Sequence, residues 1–276
     1  DVIKYDYFRE EIATRLVERL DDMKRAFPLT LDLGAGSGHV YRAICADDAL
    51  VGYGEDDEPV GGVGGVRKLV QLDSSSEMLH LDQDLEVVGS HRCDTYRWAV
   101  DDEEDILPFP DGTFDLVLSS CSLHWINKLP QVFLEVNRVL KPDGCFLLAI
   151  VGGTETLPEL RASMVMAEIE REGGVSSHVG PFVQGADVGS LLQQAGFALP
   201  TVDVDTHTIG YPNAAVLMEH LQRMGENNAA LKRRDSVSRE TFLATACLYD
   251  HLFPASQGDG TQEIEASVQI IYAVGW

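Results

Sequence analysis

Leu31-Asp-Leu-Gly-Ala-Gly-Ser-Gly38 decides the fold: an apolar strand runs straight into alternating glycines, and a helical pattern begins at Val40. Gly34, Gly36 and Gly38 carry no Cβ and tolerate positive φ, so the backbone at the strand end can come close to a ligand. The helix that follows directs its first amides at the same spot. Asp32 stands near the end of the strand, where a carboxylate can receive a cationic amine. Together these features describe a seat for a nucleoside cofactor.

Asp73, at the end of the next strand, Lys68-Leu-Val-Gln-Leu72, supports that reading. A carboxylate at the tip of the second parallel strand accepts both ribose hydroxyls, as dinucleotide folds also arrange it. Ribose binding therefore does not choose between cofactors, but the turn does. A G-x-G-x-x-G fingerprint needs glycine where this chain has His39. Aspartate followed by three alternating glycines instead resembles the first motif of class I S-adenosylmethionine-dependent methyltransferases.

Working outward, Phe8, Ile12, Leu16 and Leu20 share one face of an amphipathic helix expected over residues 7–26. Residues 47–67 are rich in Asp, Glu and Gly with no apolar period, and read as a flexible insertion. That insertion explains why Asp73 lies further from the turn than the about 20 residues of a compact dinucleotide unit. A third strand is expected at 96–100, and the acidic run Asp101-Asp-Glu-Glu-Asp105 leaves its end on the carboxyl edge of the sheet. Ligands of open α/β sheets bind at that edge, so Asp102 or Glu103 is a candidate contact for an adenine amine, Asp102 preferred.

Phe114-Asp-Leu-Val-Leu-Ser119 reads as a buried strand, 130–140 as a helix, Lys141-Pro-Asp-Gly144 as a turn and 145–151 as a fifth strand. The alternation over 29–151 implies a doubly wound, mostly parallel sheet of the α/β class. Beyond it, helices are expected at 155–172, 187–195, 217–224 and 241–253, with strands at 201–209 and 267–274, which would close a seven-stranded sheet with an antiparallel edge pair. The expected organisation is an N-terminal helix over 1–28, a cofactor-binding core over 29–151, and 152–276 completing the sheet and adding a helical cap over the substrate site.

The chain has 276 residues, long enough for one large α/β unit. Lys and Arg number 21 against 45 Asp and Glu, a formal charge of −24, which argues against nucleic acid and anionic membrane surfaces and suits a cationic partner. Five scattered cysteines without a C-x-x-C indicate neither a disulfide framework nor a thiolate zinc site, and suit a reducing compartment. No apolar run reaches the roughly 18 residues of a membrane span. The chain opens on Asp1 rather than Met, and any targeting segment of the gene product is expected to lie outside it.

The motifs extend past the turn. Asp73-Ser-Ser-Ser-Glu-Met-Leu79, Leu107-Pro-Phe109, Phe114-Asp-Leu-Val-Leu-Ser-Ser120 and Leu123-His-Trp125 resemble the group that contains the malonyl-carrier-protein methyltransferase of biotin synthesis. Gly152-Gly-Thr154, Glu159-Leu-Arg161, Glu170-Arg-Glu-Gly-Gly174, His178 with Pro181-Phe182, Tyr211-Pro212 and Ile271-Tyr-Ala-Val-Gly-Trp276 resemble, more specifically, the family of mitochondrial complex I assembly factors that keep the methyltransferase fold.

That resemblance implies a cofactor, S-adenosyl-L-methionine, with Met78 and Ser119 joining Asp32, the three glycines, Asp73 and Asp102 around it. It also implies residence on the matrix side of the mitochondrial inner membrane, peripheral to it, and hydroxylation of an arginine in a complex I subunit. His124, Trp125 and His178 are the candidate substrate-facing residues. No metal site is expected: His80-Leu-Asp82 has the spacing of an iron site, but it falls within a nucleotide-binding helix. The residues do not name a catalytic group. Methyl transfer to a small molecule or carrier-bound acyl group, and a non-catalytic assembly chaperone, stay open beside hydroxylation.

Overall fold

In the computed structural model, residues 5–46, 61–81, 93–102, 104, 106–227, 236–255 and 264–276 are described. Helix α1 (Tyr7–Glu18) leads to β1 (Leu29–Leu33), α2 (His39–Cys45), β2 (Lys68–Asp73), the short α3 (Ser76–Leu79), β3 (Asp94–Ala99) and β4 (Phe114–Ser120). Then follow α4 (Leu129–Val139), β5 (Leu140–Gly152), α5 (Pro158–Glu172), α6 (Gly185–Gln194), β6 (Thr201–Tyr211), α7 (Ala214–Met224), α8 (Arg239–Leu252) and β7 (Ile264–Gly275).

These strands form one seven-stranded sheet in the order β3-β2-β1-β4-β5-β7-β6. β1 pairs in parallel with β2 and with β4, so Leu31 lies between Val70 and Val117 and Asp32 between Gln71 and Leu118. A central parallel strand has both faces covered, which is why even Thr30 and Asp32 of β1 and Ser119 of β4 are buried beside their apolar neighbours. Leu31, Leu33, Leu116, Val117 and Leu118 are buried. Because β1 to β4 run parallel, their carboxyl ends all open on one edge.

The chain divides into two compact units. One comprises Tyr7–Ile150, Gly185–Asp203 and Ile271–Trp276. In it, Val132, Phe133, Val136 and Val139 of α4 form the buried stripe of a 3.6-residue period. α1 ends at Glu18 rather than running to 26, since turns 17–20 and 18–21 tuck Leu20 into the core. Arg19 lies over the Tyr272 ring, 3.7 Å from its centroid, and pairs with Asp203 at 3.1 Å.

The other unit holds Val151–Gln184 and Val204–Ile270, together with Tyr5 and Asp6. α5 starts after Leu157 in the left-handed region (φ 50) and stops at Gly173 (φ 67), the position where glycine ends a helix without strain. α7 and α8 are capped by Asn213 and Ser238, whose side chains accept from the Val216 and Thr241 amides. Glu172 receives the Thr241 hydroxyl at 2.6 Å, and Asp250 receives the Ala214 amide at 2.9 Å, tying these helices together.

Two further expectations change. The turn at 141–144 lies inside β5, which begins at Leu140: Phe114 pairs with Leu140 and Leu116 with Cys145, a register slip absorbed by Asp143 at φ 62. The second concerns the insertion over 47–67, whose residues 47–60 lie outside the described ones. Its end, 61–67, is packed structure: the Gly62 amide bonds the Val66 carbonyl, and the Gly64 carbonyl accepts from Phe27. A Cβ on Gly62 would sit 2.5 Å from the Ile44 side chain, and one on Gly65 2.8 Å from Ala26, so these glycines are demanded by close approach rather than by looseness.

Candidate functional site

The site begins where β1 gives way to the glycine turn. Gly34 and Ala35 both donate their amides to the Leu72 carbonyl, at 2.8 and 3.0 Å, folding the turn over the end of β2. Gly34, Gly36 and Gly38 have φ of 72, 53 and 83, a region that side chains other than glycine rarely adopt. A Cβ on Gly36 would meet nothing within 4 Å, so the turn presents its backbone to open space.

Asp73 holds this turn. One carboxylate oxygen accepts the Gly36 amide at 2.7 Å and the other the Ser75 amide at 2.8 Å. Each oxygen keeps a second lone pair, so the carboxylate can still receive hydroxyl donors from a ligand. The Ser75 hydroxyl in turn caps α3 by accepting the Met78 amide, which fixes half-buried Met78 one turn from Asp73.

Asp32 is fully buried, and neither carboxylate oxygen has a hydrogen-bond partner. Burial, first, and the neighbouring charge of Asp73, second, push its carboxyl up to about 8, with the Gln71 side chain offsetting a part. A buried polar group left unsatisfied is costly, so the two oxygens call for a donor that the protein does not itself supply. Ser119 stands on the adjacent strand, and its buried hydroxyl donates to the Leu33 carbonyl at 2.8 Å, stitching β4 to the end of β1.

Beyond β3, exposed Asp102 accepts the Glu104 amide at 2.8 Å in a local turn, while Glu103 lies outside the described residues. Sequence reasoning missed Glu104 itself. It is nearly buried, accepts the backbone and side-chain amides of Asn127 at 2.6 and 3.2 Å, and lies 3.4 Å from Lys128. The Asn127 amide, above all, holds its carboxyl below the usual range. It thereby links the acid loop to the turn Leu123–Trp125, where the His124 and Trp125 rings lie 5.6 Å apart at 46°.

Glu135 and Arg138 were missed as well. Glu135 accepts the Leu107 amide at 3.0 Å, and Arg138 donates to the carbonyls of Leu107 and Phe109 at 3.0 and 2.9 Å while gripping Glu135 and Asp111. Their i, i+3 spacing on a helix was the only available signal.

Asp32, the glycines, Asp73, Met78, Asp102, Ser119, His124 and Trp125 thus belong to one unit, on or just past the carboxyl ends of β1 to β4. His178 belongs to the other unit. Its Nε2 lies 2.7 Å from buried Glu168 and 2.9 Å from the Ser176 hydroxyl. His80 bonds the Ser76 carbonyl at 2.7 Å, and Asp82 lies outside the described residues. Cys45, Cys93, Cys121 and Cys145 are buried free thiols, and burial pushes Cys93 and Cys145 up to about 12. Among the described residues no group of three or more His, Cys, Asp or Glu is placed to hold a metal ion, and no helix is long and apolar enough to cross a membrane.

The methyltransferase domain family matches residues 31–148, the segment that carries this edge. Over its whole length the chain is 40% identical to the mitochondrial arginine-hydroxylase NDUFAF5 of Danio rerio, covering 77% of that protein. The chain belongs to the NDUFAF5 family. NDUFAF5 of Homo sapiens is 39% identical over 99% of the chain and 70% of its own length. A more distant relation joins the NDUFAF5 family to a malonyl-[acyl-carrier protein] O-methyltransferase of Methylovorus, 30% identical over 97% of the chain and 81% of that protein. Among solved structures, a Bacillus halodurans protein assigned to the methyltransferases superposes with a TM-score of 0.58 at 18% identity, covering 94% of this chain and 97% of the other. That likeness shows the fold: a class I methyltransferase sheet with flanking helices.

Proposed function

We propose that the chain binds S-adenosyl-L-methionine at the carboxyl edge of β1 to β4, resides on the matrix side of the mitochondrial inner membrane, and hydroxylates an arginine of a complex I subunit. One observation carries the cofactor reading: Asp32 is buried beside the glycine turn with both oxygens unpartnered. The ligand's α-ammonium is a donor of the right charge for it. Asp73 would receive the ribose hydroxyls, and the turn of Gly34, Gly36 and Gly38, open at Gly36, would lie against the methionyl portion. Asp102 or Glu103 would take the adenine amine, and Met78 would pack on the base. Ser119, committed to the Leu33 carbonyl, would hold the floor of the site in place.

When bound, the cofactor supplies a sulfonium with an electrophilic methyl group. Hydroxylation instead inserts one oxygen atom into a C–H bond and draws on an oxidant as co-substrate. For either reaction the residues of this chain bind and orient the reactants. The name of the NDUFAF5 relatives supports arginine as the group modified, and the charge of −24 suits a cationic substrate.

Mass spectrometry of a complex I peptide bearing the target arginine, after incubation with the protein and S-adenosylmethionine, tests the reading. A gain of one oxygen supports it. A gain of one methyl supports the second reading, favoured by the malonyl-carrier relative. An unmodified peptide supports the assembly-chaperone reading. Absence of calorimetric binding of S-adenosylmethionine overturns the cofactor assignment.

A further inference from the structure

β3 closes one side of the sheet, and among the described residues only β2 pairs with it. Its six residues keep unbroken register with β2, with no proline and no bulge to blunt the edge. The Asp94 amide bonds the Arg67 carbonyl and the Val100 amide the Asp73 carbonyl, so the even-numbered residues turn their backbone groups toward β2. Those of the odd-numbered residues, Thr95 and Ala99 among them, point outward.

The side chains divide by the same alternation. Thr95 and Arg97 face Tyr41 of α2. Tyr96 and Trp98 lie on the opposite face, 52% and 51% exposed. That face is open: the connection from β3 to β4, among its described residues, holds no helix, whereas α2, α3 and α4 occupy the other parallel crossovers. Trp98 is nonetheless held in place. Its ring meets Phe109 edge-on, centroids 5.9 Å apart at 66°, and Arg138 grips the Phe109 carbonyl. Two neighbouring rings presented to water in this way form a patch that calls for a partner.

Charge selects that partner. Exposed Asp101 and Asp102 stand just past the carboxyl end of β3, while Asp94 at its start lies opposite Lys68 of β2. A cation over a tryptophan or tyrosine face gains from the ring quadrupole, and the charge of −24 favours its approach. A second copy of the chain fits badly. The twofold pairing that uses Thr95, Arg97 and Ala99 sets Arg97 opposite its own copy, and each chain brings the same −24.

We propose that the outer edge of β3 docks an extended basic segment of a partner protein, whose backbone adds a strand beside β3 and whose alternate Arg or Lys side chains lie over Tyr96 and Trp98. Such docking requires neither the cofactor nor the reaction.

The test titrates the full chain into a fluorescein-labelled peptide of Arg and Thr in strict alternation, which places every arginine on one face of a strand. Anisotropy should show binding that Tyr96→Thr and Trp98→Thr each weaken about fivefold, in chains that keep the wild-type circular dichroism and S-adenosylmethionine affinity. Hydrogen exchange on wild type serves whether or not the variants fold. The Thr95 and Ala99 amides should exchange fast in the free chain and slow when the peptide is bound, while those of Tyr96 and Trp98 change little. Failure to bind the peptide, slow exchange at Thr95 and Ala99 without it, no protection with it, or folded variants that bind as wild type does overturns the docking strand. Equal binding of a peptide with its arginines in one block reduces the interaction to bulk charge, and equal binding of a Gln-for-Arg analogue removes the cation; either overturns it too. So does a wild-type dimer that Trp98→Thr dissolves, which gives the edge to a second copy.

Discussion

At Asp32 the cost of an unpaired buried carboxylate becomes a pH dependence with a definite sign. Its carboxyl is raised from 3.8 to about 8 in the fold, so the folded state takes up a proton that the unfolded chain has released. The penalty is absent below about pH 4, grows as the pH rises, and is complete above about 8, on the order of 5 kcal/mol. Asp32→Asn should remove that slope, raising the unliganded melting temperature above pH 8. A melting curve as pH-dependent as that of wild type counts against the assignment. An ammonium arriving at Asp32 expels the proton, so cofactor binding near pH 7 should release close to one. Calorimetric enthalpies should then vary with the ionisation enthalpy of the buffer in wild type and not in Asp32→Asn. Asp73 works differently, through two backbone amides it already holds. Asp73→Ala should weaken S-adenosylmethionine binding by roughly 1.5–3 kcal/mol through the lost ribose acceptor; unchanged affinity in a titration would refute that role. Both residues were legible in the sequence because a strand that ends in an acid or in glycines is a local pattern. Glu168 was not, since nothing in the spacing of Glu168, Ser176 and His178 says that a buried carboxylate closes the loop between them.

Elements show the same divide between local and long-range signals. The helical period of α4 was readable, and so were β1, from its three leucines running into a glycine turn, and β4, from the run Leu116-Val-Leu118. The clamp that α4 places on the loop after β3 was not. Arg138 and Glu135 hold three backbone groups of Leu107 and Phe109, contacts that unite segments nearly thirty positions apart. Arg138→Ala removes the guanidinium donor from both carbonyls and from the Glu135 carboxylate, which keep at most one backbone donor each, and should cost about 1–3 kcal/mol of stability. Amide exchange at Leu107 and Phe109 should quicken more than in β1 or β4; uniform exchange across the unit would show that the clamp is not what holds this segment. The glycines at 61–65 teach a related point. In sequence they resemble a linker, whereas Gly62 and Gly65 are places where another backbone or side chain passes too close for a Cβ. Composition reports permissiveness, and only packing reports why it is used.

For the whole molecule, a seven-stranded α/β sheet followed from the alternation of strands and helices, but its strand order, and the return of 185–203 and 271–276 to the unit built by Tyr7–Ile150, leave no mark in local periodicity. Charge is the one global property that composition states outright. At −24 the chain surrounds itself with a negative potential, which speeds the approach of a cationic peptide and repels polyanions. Such steering is screened as the Debye length contracts from about 30 Å at 0.01 M salt to about 8 Å at 0.15 M. The association rate of the arginine peptide, followed by stopped-flow anisotropy, should therefore fall several-fold over that range, while dissociation, governed by short-range contacts, changes little. Replacing the flanking basic residues of the peptide while keeping its target arginine separates the two contributions. The salt dependence should shrink with each charge removed, and the equilibrium selectivity for arginine over an uncharged isostere should persist. An association rate indifferent to salt would mean that the acidic surface serves solubility alone, and that recognition of the cation begins only at contact.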